Sequence, residues 1–144
     1  MEEEYEIGKQ IQMLSRKIKR KMDETFLEYG ITGGQAFMLK FIHEKSINGK
    51  VHAKDIENEF DMRRPTVTGI LQLMEQNKLI ERKAEGKDAR LKDIVITKKG
   101  MEIVKKIDSN VKEVEKKLVK DISKNEIQTF LTIIGKLSKN MSWN

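Results

Sequence analysis

This sequence of 144 residues contains no cysteine and only one proline. The absence of cysteine excludes disulfide bonds, thiolate metal sites and thiol-based redox sensing. The single proline permits long uninterrupted helices, because proline breaks a helix interior. Aromatic residues make up only 6% of the chain, and no apolar run approaches the roughly 20 residues of a membrane span. We therefore expect a soluble, helix-rich protein.

Charged residues, at 36%, are nearly as common as hydrophobic ones, at 38%. Such a composition is polar for a self-contained globule, and it favours an elongated protein that buries further apolar surface in a partner subunit. The net charge of +6 points towards a polyanionic partner. The N-terminal sequence is acidic and lacks the apolar core of a signal peptide, which predicts a cytoplasmic location.

The chain is organised around the stretch from Arg63 to Gly100. Pro65 suits the first turn of a helix, since its fixed φ and missing N–H cost nothing there. Helical spacing then predicts an apolar face and an opposite face of short or hydrogen-bonding residues. The apolar face comprises Val67, Ile70, Leu71 and Met74, and the opposite face comprises Thr66, Thr68, Gly69 and Gln72.

Two extended runs follow this helix, Leu79–Lys83 and Leu91–Thr97, and the second is rich in β-branched residues. A polar loop, Ala84–Arg90, joins them and turns at Gly86. A short helix at Ala53–Phe60 precedes the long one. This order predicts a helix-turn-helix followed by a β-wing, in which the second helix enters a DNA major groove.

Four further helices surround this module, predicted from apolar spacing and from capping residues. They run from Glu4 to Tyr29 with Gly30 as the helix-ending residue, from Thr32 to about Glu44, from Thr97 to about Asp121, and from a Ser123–Glu126 capping box onward. The predicted fold class is therefore mainly α with a small β-wing: a winged helix-turn-helix with six helices. Val51 is a candidate for a short strand beside the wing.

The first, fifth and sixth helices carry more apolar face than one small lobe can cover, which predicts a two-fold dimer built from the N- and C-terminal helices. Residues 1–30 and 98–144 would form the helical dimerisation region, and residues 31–97 the winged DNA-binding lobe. The alternative is an intramolecular bundle without dimerisation.

Several of these residues stand in a known order. Asp88-x-Arg90, followed by Ile96-Thr97-x-x-Gly100, is similar to the wing signature D-x-R then L-T-x-x-G of the MarR family of bacterial winged-helix transcriptional regulators. The stretch Thr66-Val67-Thr68 also looks like that family's recognition helix. The resemblance extends over essentially the whole chain.

This resemblance implies a homodimer that binds a pseudo-palindromic operator in double-stranded DNA and represses transcription. Each recognition helix would enter a major groove, and Arg90 of each wing would enter the adjacent minor groove, held by a charge-assisted hydrogen bond that it donates to Asp88. The expected DNA-binding residues are Arg63, Arg64, Pro65, Thr66, Thr68, Gln72, Lys87, Asp88, Arg90 and Lys92.

Many members of the family release DNA when a small aromatic or phenolic effector binds between the dimerisation helices and the DNA lobe. Apolar residues that could line such a pocket, or could equally be plain core, are Met13, Phe26, Tyr29, Phe37 and Phe41. The sequence also departs from the family pattern: Ala89 replaces a residue that is often basic, and Asn77-Lys78 stands where a helix-ending glycine is usual. Asn77 can tolerate the left-handed conformation of such a cap.

Other functions find less support. Gly49-Lys50 and Gly86-Lys87 lack the rest of a P-loop, so we expect neither an enzyme nor a cofactor. His43 and His52 have no ligand spacing, and a metal-responsive regulator would have to recruit carboxylates such as Glu24 or Glu44. A winged helix used as a protein-interaction module, without an effector, would present an apolar or acidic recognition face rather than this basic one.

Overall fold

The computed structural model describes residues 4–86 and 88–142, with backbone alone for residue 85 and residues 88–91. Within these residues the chain forms six α-helices and one two-stranded antiparallel sheet, which confirms the predicted winged helix-turn-helix. The elements are α1 (Ile7–Phe26) with a 3-10 turn (Leu27–Tyr29), α2 (Gly33–Ser46), α3 (Ala53–Phe60), α4 (Arg64–Gln76), β1 (Ile80–Glu85), β2 (Asp88–Ile96), α5 (Lys98–Leu118) and α6 (Lys124–Asn140).

The first helix is shorter than the sequence predicted, because it begins at Ile7 and narrows to a 3-10 turn after Phe26. Gly30 then takes a left-handed conformation, with φ of 71°, and its N–H donates to the Leu27 carbonyl at 3.0 Å. A residue with a side chain would be strained there. The predicted role of Gly30 in ending this segment is confirmed.

The second helix is the central buried element, as predicted. Its start is held by α1, because Asp23 Oδ1 accepts a hydrogen bond from Gly33 N at 2.8 Å. Thr32 Oγ1 caps the helix by accepting from Gln35 N at 3.1 Å. The reciprocal half of the predicted capping box does not form, since the buried Gln35 Oε1 has no partner among the described residues. The helix continues to Ser46, two residues beyond the predicted end at Glu44.

The apolar core contains side chains from every element from α1 to α5. Its fully buried side chains include Phe26, Met38, Leu39, Ile42, Val51, Ile56, Val67, Leu71, Met74, Leu79, Ile80 and Ile107. Burying a large aliphatic or aromatic side chain contributes roughly 1.5–3 kcal/mol. These residues therefore fix α3 and α4 against α2 and the sheet.

The fifth helix begins at a tight junction with the sheet. Thr97 Oγ1 caps it by accepting from Gly100 N at 3.0 Å, and the same hydroxyl donates to the Lys78 carbonyl at 2.6 Å. A Cβ on Gly100 would collide with the Leu79 carbonyl oxygen and would lie 2.7 Å from Ile96 Cγ2. The threonine and glycine of the wing signature are thus explained by helix capping and close packing. The helix ends at Leu118, before the predicted Asp121.

The last helix has the predicted capping box, in which Glu126 N donates to Ser123 Oγ at 3.1 Å and Ser123 N donates to Glu126 Oε1 at 3.0 Å. No residue of α6 is buried in this chain. Residue contacts group the chain into one compact unit up to Val111 and a second from Lys112 onward. No helix among the described residues is both long and apolar enough to cross a membrane.

Candidate nucleic-acid interface

The recognition helix, α4, starts with arginines that make no side-chain cap. Arg63 is the N-cap residue, and its carbonyl accepts from Thr66 N at 3.1 Å and from Val67 N at 3.2 Å. Pro65 occupies the first turn, as predicted. Arg63, Arg64 and Pro65 are exposed. Two cations therefore stand at the positive end of a helix dipole, which also favours an anion such as phosphate.

The two faces of α4 divide largely as predicted. Val67, Leu71 and Met74 are fully buried, and Ile70 is half-buried. On the opposite side Thr66, Gly69 and Gln72 are exposed, whereas Thr68 is half-buried. The helix is thus held by its apolar face and presents a surface of short or hydrogen-bonding side chains.

Leu73 is a residue of this surface that the sequence analysis missed. It is 51% exposed although it lies on a helix whose other large apolar residues are at least half-buried. Leu73 follows Thr66 by seven residues, which is two helical turns, so both side chains lie on the same side of α4. That spacing was available in the sequence, but Leu73 was assigned to neither face of the helix.

The wing is longer than predicted. β1 extends to Glu85 and β2 begins at Asp88, so the predicted loop Ala84–Arg90 is wrong: its ends belong to strands. Gly86 is the turn residue, as predicted, with φ of 58°. A glycine in this conformation allows a tight hairpin connection, so strand pairing continues closer to the turn than a seven-residue loop would allow.

Arg90 therefore lies in strand β2 rather than at the tip of a loop. Ala84 pairs with Lys92, whereas Glu85 pairs with Asp88, and the register shifts between them. Arg90 stands on β2 between these paired positions, where the ladder is irregular. Lys92 is exposed.

Three predicted contact residues lie wholly or partly outside the described structure. Lys87 lies outside the described residues, and so do the side chains of Asp88 and Arg90. The expected hydrogen bond between Asp88 and Arg90 stays a prediction.

The wing is attached to the rest of the lobe at one level of the hairpin. Val51 does not form a strand, but its carbonyl accepts from Ile94 N at 2.8 Å and its N–H donates to Asp93 Oδ1 at 3.3 Å. On the other strand, Arg82 Nε donates to Glu75 Oε2 of α4 at 2.7 Å. These bonds join the wing to the segment before α3 and to the recognition helix.

The turn between α4 and β1 differs from the prediction in one residue. Asn77 has φ of −78°, and it is Lys78 that adopts the left-handed conformation, with φ of 59°. The turn is tied to α5, because Lys99 Nζ donates to the Asn77 carbonyl at 2.9 Å and Thr97 holds the Lys78 carbonyl. The end of α4 itself places Lys78 in the left-handed position, because Leu79 N donates to the Met74 carbonyl at 2.9 Å across it.

The residues predicted for an effector site are only partly brought together. The rings of Phe26 and Tyr29 lie 6.2 Å apart, whereas Phe41 packs edge-on against Phe60 at 5.7 Å. Phe37 is half-buried and Met13 is exposed.

Tyr29 also faces α5. Its hydroxyl accepts from Asn110 Nδ2 at 3.2 Å, and Lys106 Nζ lies 5.4 Å from its ring centroid. The contact with Asn110 was not visible in the sequence, because the two residues are far apart along the chain.

Both histidines lie at the ends of helices. His52 is the N-cap of α3, where its N–H donates to Asp55 Oδ2 at 2.9 Å, and His43 lies in the last turn of α2. Within residues 4–86 and 88–142, no group of three histidine, cysteine or carboxylate side chains is arranged to hold a metal ion. Glu24 and Glu44 are both exposed.

Known proteins share this arrangement. A sequence profile of the MarR family matches residues 29–91. The HTH-type transcriptional regulator YwhA of Bacillus subtilis is 25% identical over 123 residues, which cover 85% of this chain and 86% of that protein. The crystal structure of a complex of S. aureus MepR with DNA superposes with a TM-score of 0.90 at 26% identity, covering 96% of this chain and 100% of that one.

The MarR regulator of Oenococcus oeni superposes with a TM-score of 0.78 at 27% identity, over 93% of this chain and 99% of that one. These matches agree with the six helices and the antiparallel wing described above. The winged lobe of this chain therefore matches the MarR family of winged-helix transcriptional regulators, and the chain shares the fold of these solved members.

Proposed function

We propose that this chain is a cytoplasmic, homodimeric repressor that binds a pseudo-palindromic operator in double-stranded DNA and has no catalytic activity. The observation that carries the proposal is the division of α4: its apolar face is buried, and its polar face is free beside two exposed arginines. A helix held in this way can lie in a major groove without disturbing the core. The net charge of +6 favours the approach to DNA.

In this proposal Thr66 and Gln72 contact base edges, because both are exposed and can donate and accept hydrogen bonds. Thr68 is half-buried, so it contacts the nearer backbone or a base at the edge of the face. Arg63 and Arg64 bind phosphates at the helix N-terminus.

The wing contributes contacts beside the major groove. The minor groove of A·T-rich DNA is narrow and concentrates negative potential, which attracts an inserted guanidinium. We assign this role to Arg90, with Asp88 orienting it and with Lys87 and exposed Lys92 on neighbouring phosphates.

Dimerisation is supported by apolar side chains that have no cover within one chain. On α1 these are Ile7, Ile11 and Leu14, and on α6 they are Phe130, Leu131, Ile133 and Ile134. Exposed apolar sets of this size mark interaction surfaces. Two-fold association would present two recognition helices to two half-sites.

We further propose that a small aromatic effector releases the repressor near Tyr29. The support is the position of Tyr29, which packs against Phe26 and hydrogen-bonds to Asn110 of α5. A ligand that competes for these contacts would alter how α5 meets the winged lobe. Phe41, committed to Phe60, is a weaker member of the site.

The experiment is a selection of duplexes from a random-sequence pool, followed by titration of the best duplex at several salt concentrations. Arg90→Ala should weaken binding at least tenfold and leave dimerisation and melting temperature unchanged. With both wings altered, the slope of log K against log salt should flatten by up to about two units. Failure of the unaltered protein to enrich any duplex would refute the proposal, and an unchanged slope would remove the wing from it.

A further inference from the structure

The Glu75–Arg82 ion pair joins the recognition helix to the wing. Glu75 lies in the last turn of α4 and Arg82 in the middle of β1, and their atoms Oε2 and Nε are 2.7 Å apart. The Arg82 side chain is 21% exposed and that of Glu75 43%. On β1, Arg82 shares a face with buried Ile80, whereas Glu81 and Lys83 point to solvent. The pair is therefore a fixed contact of the inner face of the strand.

The ion pair lies at the level of the hairpin where both strands are bonded to the rest of the lobe. Arg82 is the register partner of Ile94, the residue whose N–H donates to the Val51 carbonyl at 2.8 Å. At this one level, each strand of the wing is bonded to a different part of the lobe. Beyond it the hairpin continues through Ala84 to the turn at Gly86. Together with the buried side chains of Ile80 and Ile94, the two attachments thus orient the outer wing.

We propose that Glu75 and Arg82 are positioning residues that set the angle between α4 and the wing, so that major-groove and minor-groove contacts form together. This inference rests on the proposed function. It assigns neither residue a contact with DNA: the carboxylate holds the guanidinium, and the guanidinium holds the strand. Bidentate or short charge-assisted bonds of this kind give orientation as well as energy.

The test uses the full chain and the best duplex selected from the random pool by the unaltered protein. The variants are Arg82→Met, Glu75→Gln and the exchange Glu75→Arg with Arg82→Glu. The readouts are affinity, the hydroxyl-radical footprint, which reports minor-groove protection, and protection of guanine N7 from dimethyl sulfate, which reports major-groove contacts. Arg82→Met should weaken binding about tenfold, the size expected for the loss of one groove contact, and should lose the wing footprint while α4 keeps its major-groove protection.

Glu75→Gln separates positioning from general electrostatics. It removes a negative charge, so a purely electrostatic effect would tighten binding to DNA, whereas a positioning role predicts weaker binding. The charge exchange restores the ion pair and should recover affinity to within about threefold of the original, since most of the tenfold loss is regained. If Arg82 touched DNA directly, the glutamate placed at its position would prevent this recovery.

Lys83→Met is the matched control. Lys83 is the next residue of β1 and carries the same charge, and its Nζ lies 4.0 Å from Glu81 Oε2 on the same strand. Its loss should cost only the small effect of one surface charge. Equal weakening by Lys83→Met, unaltered or tighter binding by Glu75→Gln, or an unrecovered charge exchange would each overturn the proposal. Absence of any duplex selected by the unaltered protein would instead refute the proposed function.

Discussion

The winged lobe and the helical ends of the chain use the same kind of apolar stripe with opposite results. In α1 the spacing is regular, yet Met22 and Phe26 are buried and Ile7 and Leu14 are exposed. In α5 the order is reversed: Ile107 is fully buried, and the stripe becomes exposed towards Leu118. α6 carries the pattern along its whole length and buries no residue.

This difference shows that helical spacing defines a face but not what covers it. Inside the lobe the cover is supplied by α2 and its neighbours, whose side chains are close-packed. At the start of α1 and along α6, apolar residues of the same kinds lie against solvent. Each large side chain exposed in this way costs hydrophobic free energy. Such a surface is expected to be covered by a second copy, and the experiments below test the contrast between the two regions.

The largest effect is expected from charges placed on α6. Phe130→Asp with Leu131→Asp should abolish the dimer, because each large side chain contributes roughly 1.5–3 kcal/mol when buried, and a symmetric interface loses each twice. Sedimentation equilibrium should show a monomer whose winged lobe still unfolds cooperatively. Thr132→Asp, which adds charge to the opposite face of the same helix, is the control. A double variant that remains dimeric would place the interface elsewhere.

A smaller effect is expected at the recognition helix, where Leu73 is exposed although the other large apolar side chains of α4 are at least half-buried. Leu73 can pack against the C5-methyl group of thymine, as apolar side chains do in major grooves. Replacing contacted thymines by deoxyuridine should weaken binding by about 0.8 kcal/mol per half-site, or roughly fourfold, the value of one buried methylene.

The Leu73→Ala protein should lose the same affinity and become insensitive to deoxyuridine. Leu27→Ala removes another exposed leucine, outside the recognition helix, and should change neither affinity nor the deoxyuridine effect. Equal sensitivity of the Leu73→Ala protein and the unaltered one would mean that Leu73 does not read thymine.

The smallest effect concerns the junction of α1 with α2. The hydrogen bond from Lys19, followed by that from Gly33 N, lowers the pKa of Asp23 below its ordinary value of 3.8. Because the pKa of Asp23 is lower in the folded protein than in the unfolded chain, its carboxylate stabilises the fold at pH values above the ordinary pKa. This contribution is lost as the pH falls through the pKa of the folded state. For a partly exposed pair the contribution is about 0.2–1 kcal/mol.

Asp23→Asn should therefore lower the free energy of unfolding slightly at neutral pH, and the difference from the unaltered protein should vanish in acid. Asparagine keeps a carbonyl oxygen for Gly33 N but loses the attraction of Lys19. Chemical denaturation at a series of pH values measures the difference. A difference that stays constant down to acid pH would show that the Asp23 charge does not contribute.

Local chemistry in the sequence was enough to predict several features. The cap at Thr97, the capping box at Ser123, the glycine that ends the first segment at Gly30 and the bounds of α3 are all found where expected. Each depends on residues within about one helical turn, so nearby side chains and backbone decide the outcome. The buried face of α4 was predictable for the same reason.

Tertiary structure decided the rest. The ion pair of Glu75 with Arg82 and the bond from Asn110 to Tyr29 both depend on segments that meet only after folding. Strand β1 extends to Glu85 and strand β2 begins at Asp88 because the two segments pair with each other. The residue pattern of one segment alone does not show how far this pairing continues. Residue spacing determined that this chain forms amphipathic helices and a wing. Packing determined which stripes are covered, because burial depends on what lies opposite a side chain and not on the chain that carries it.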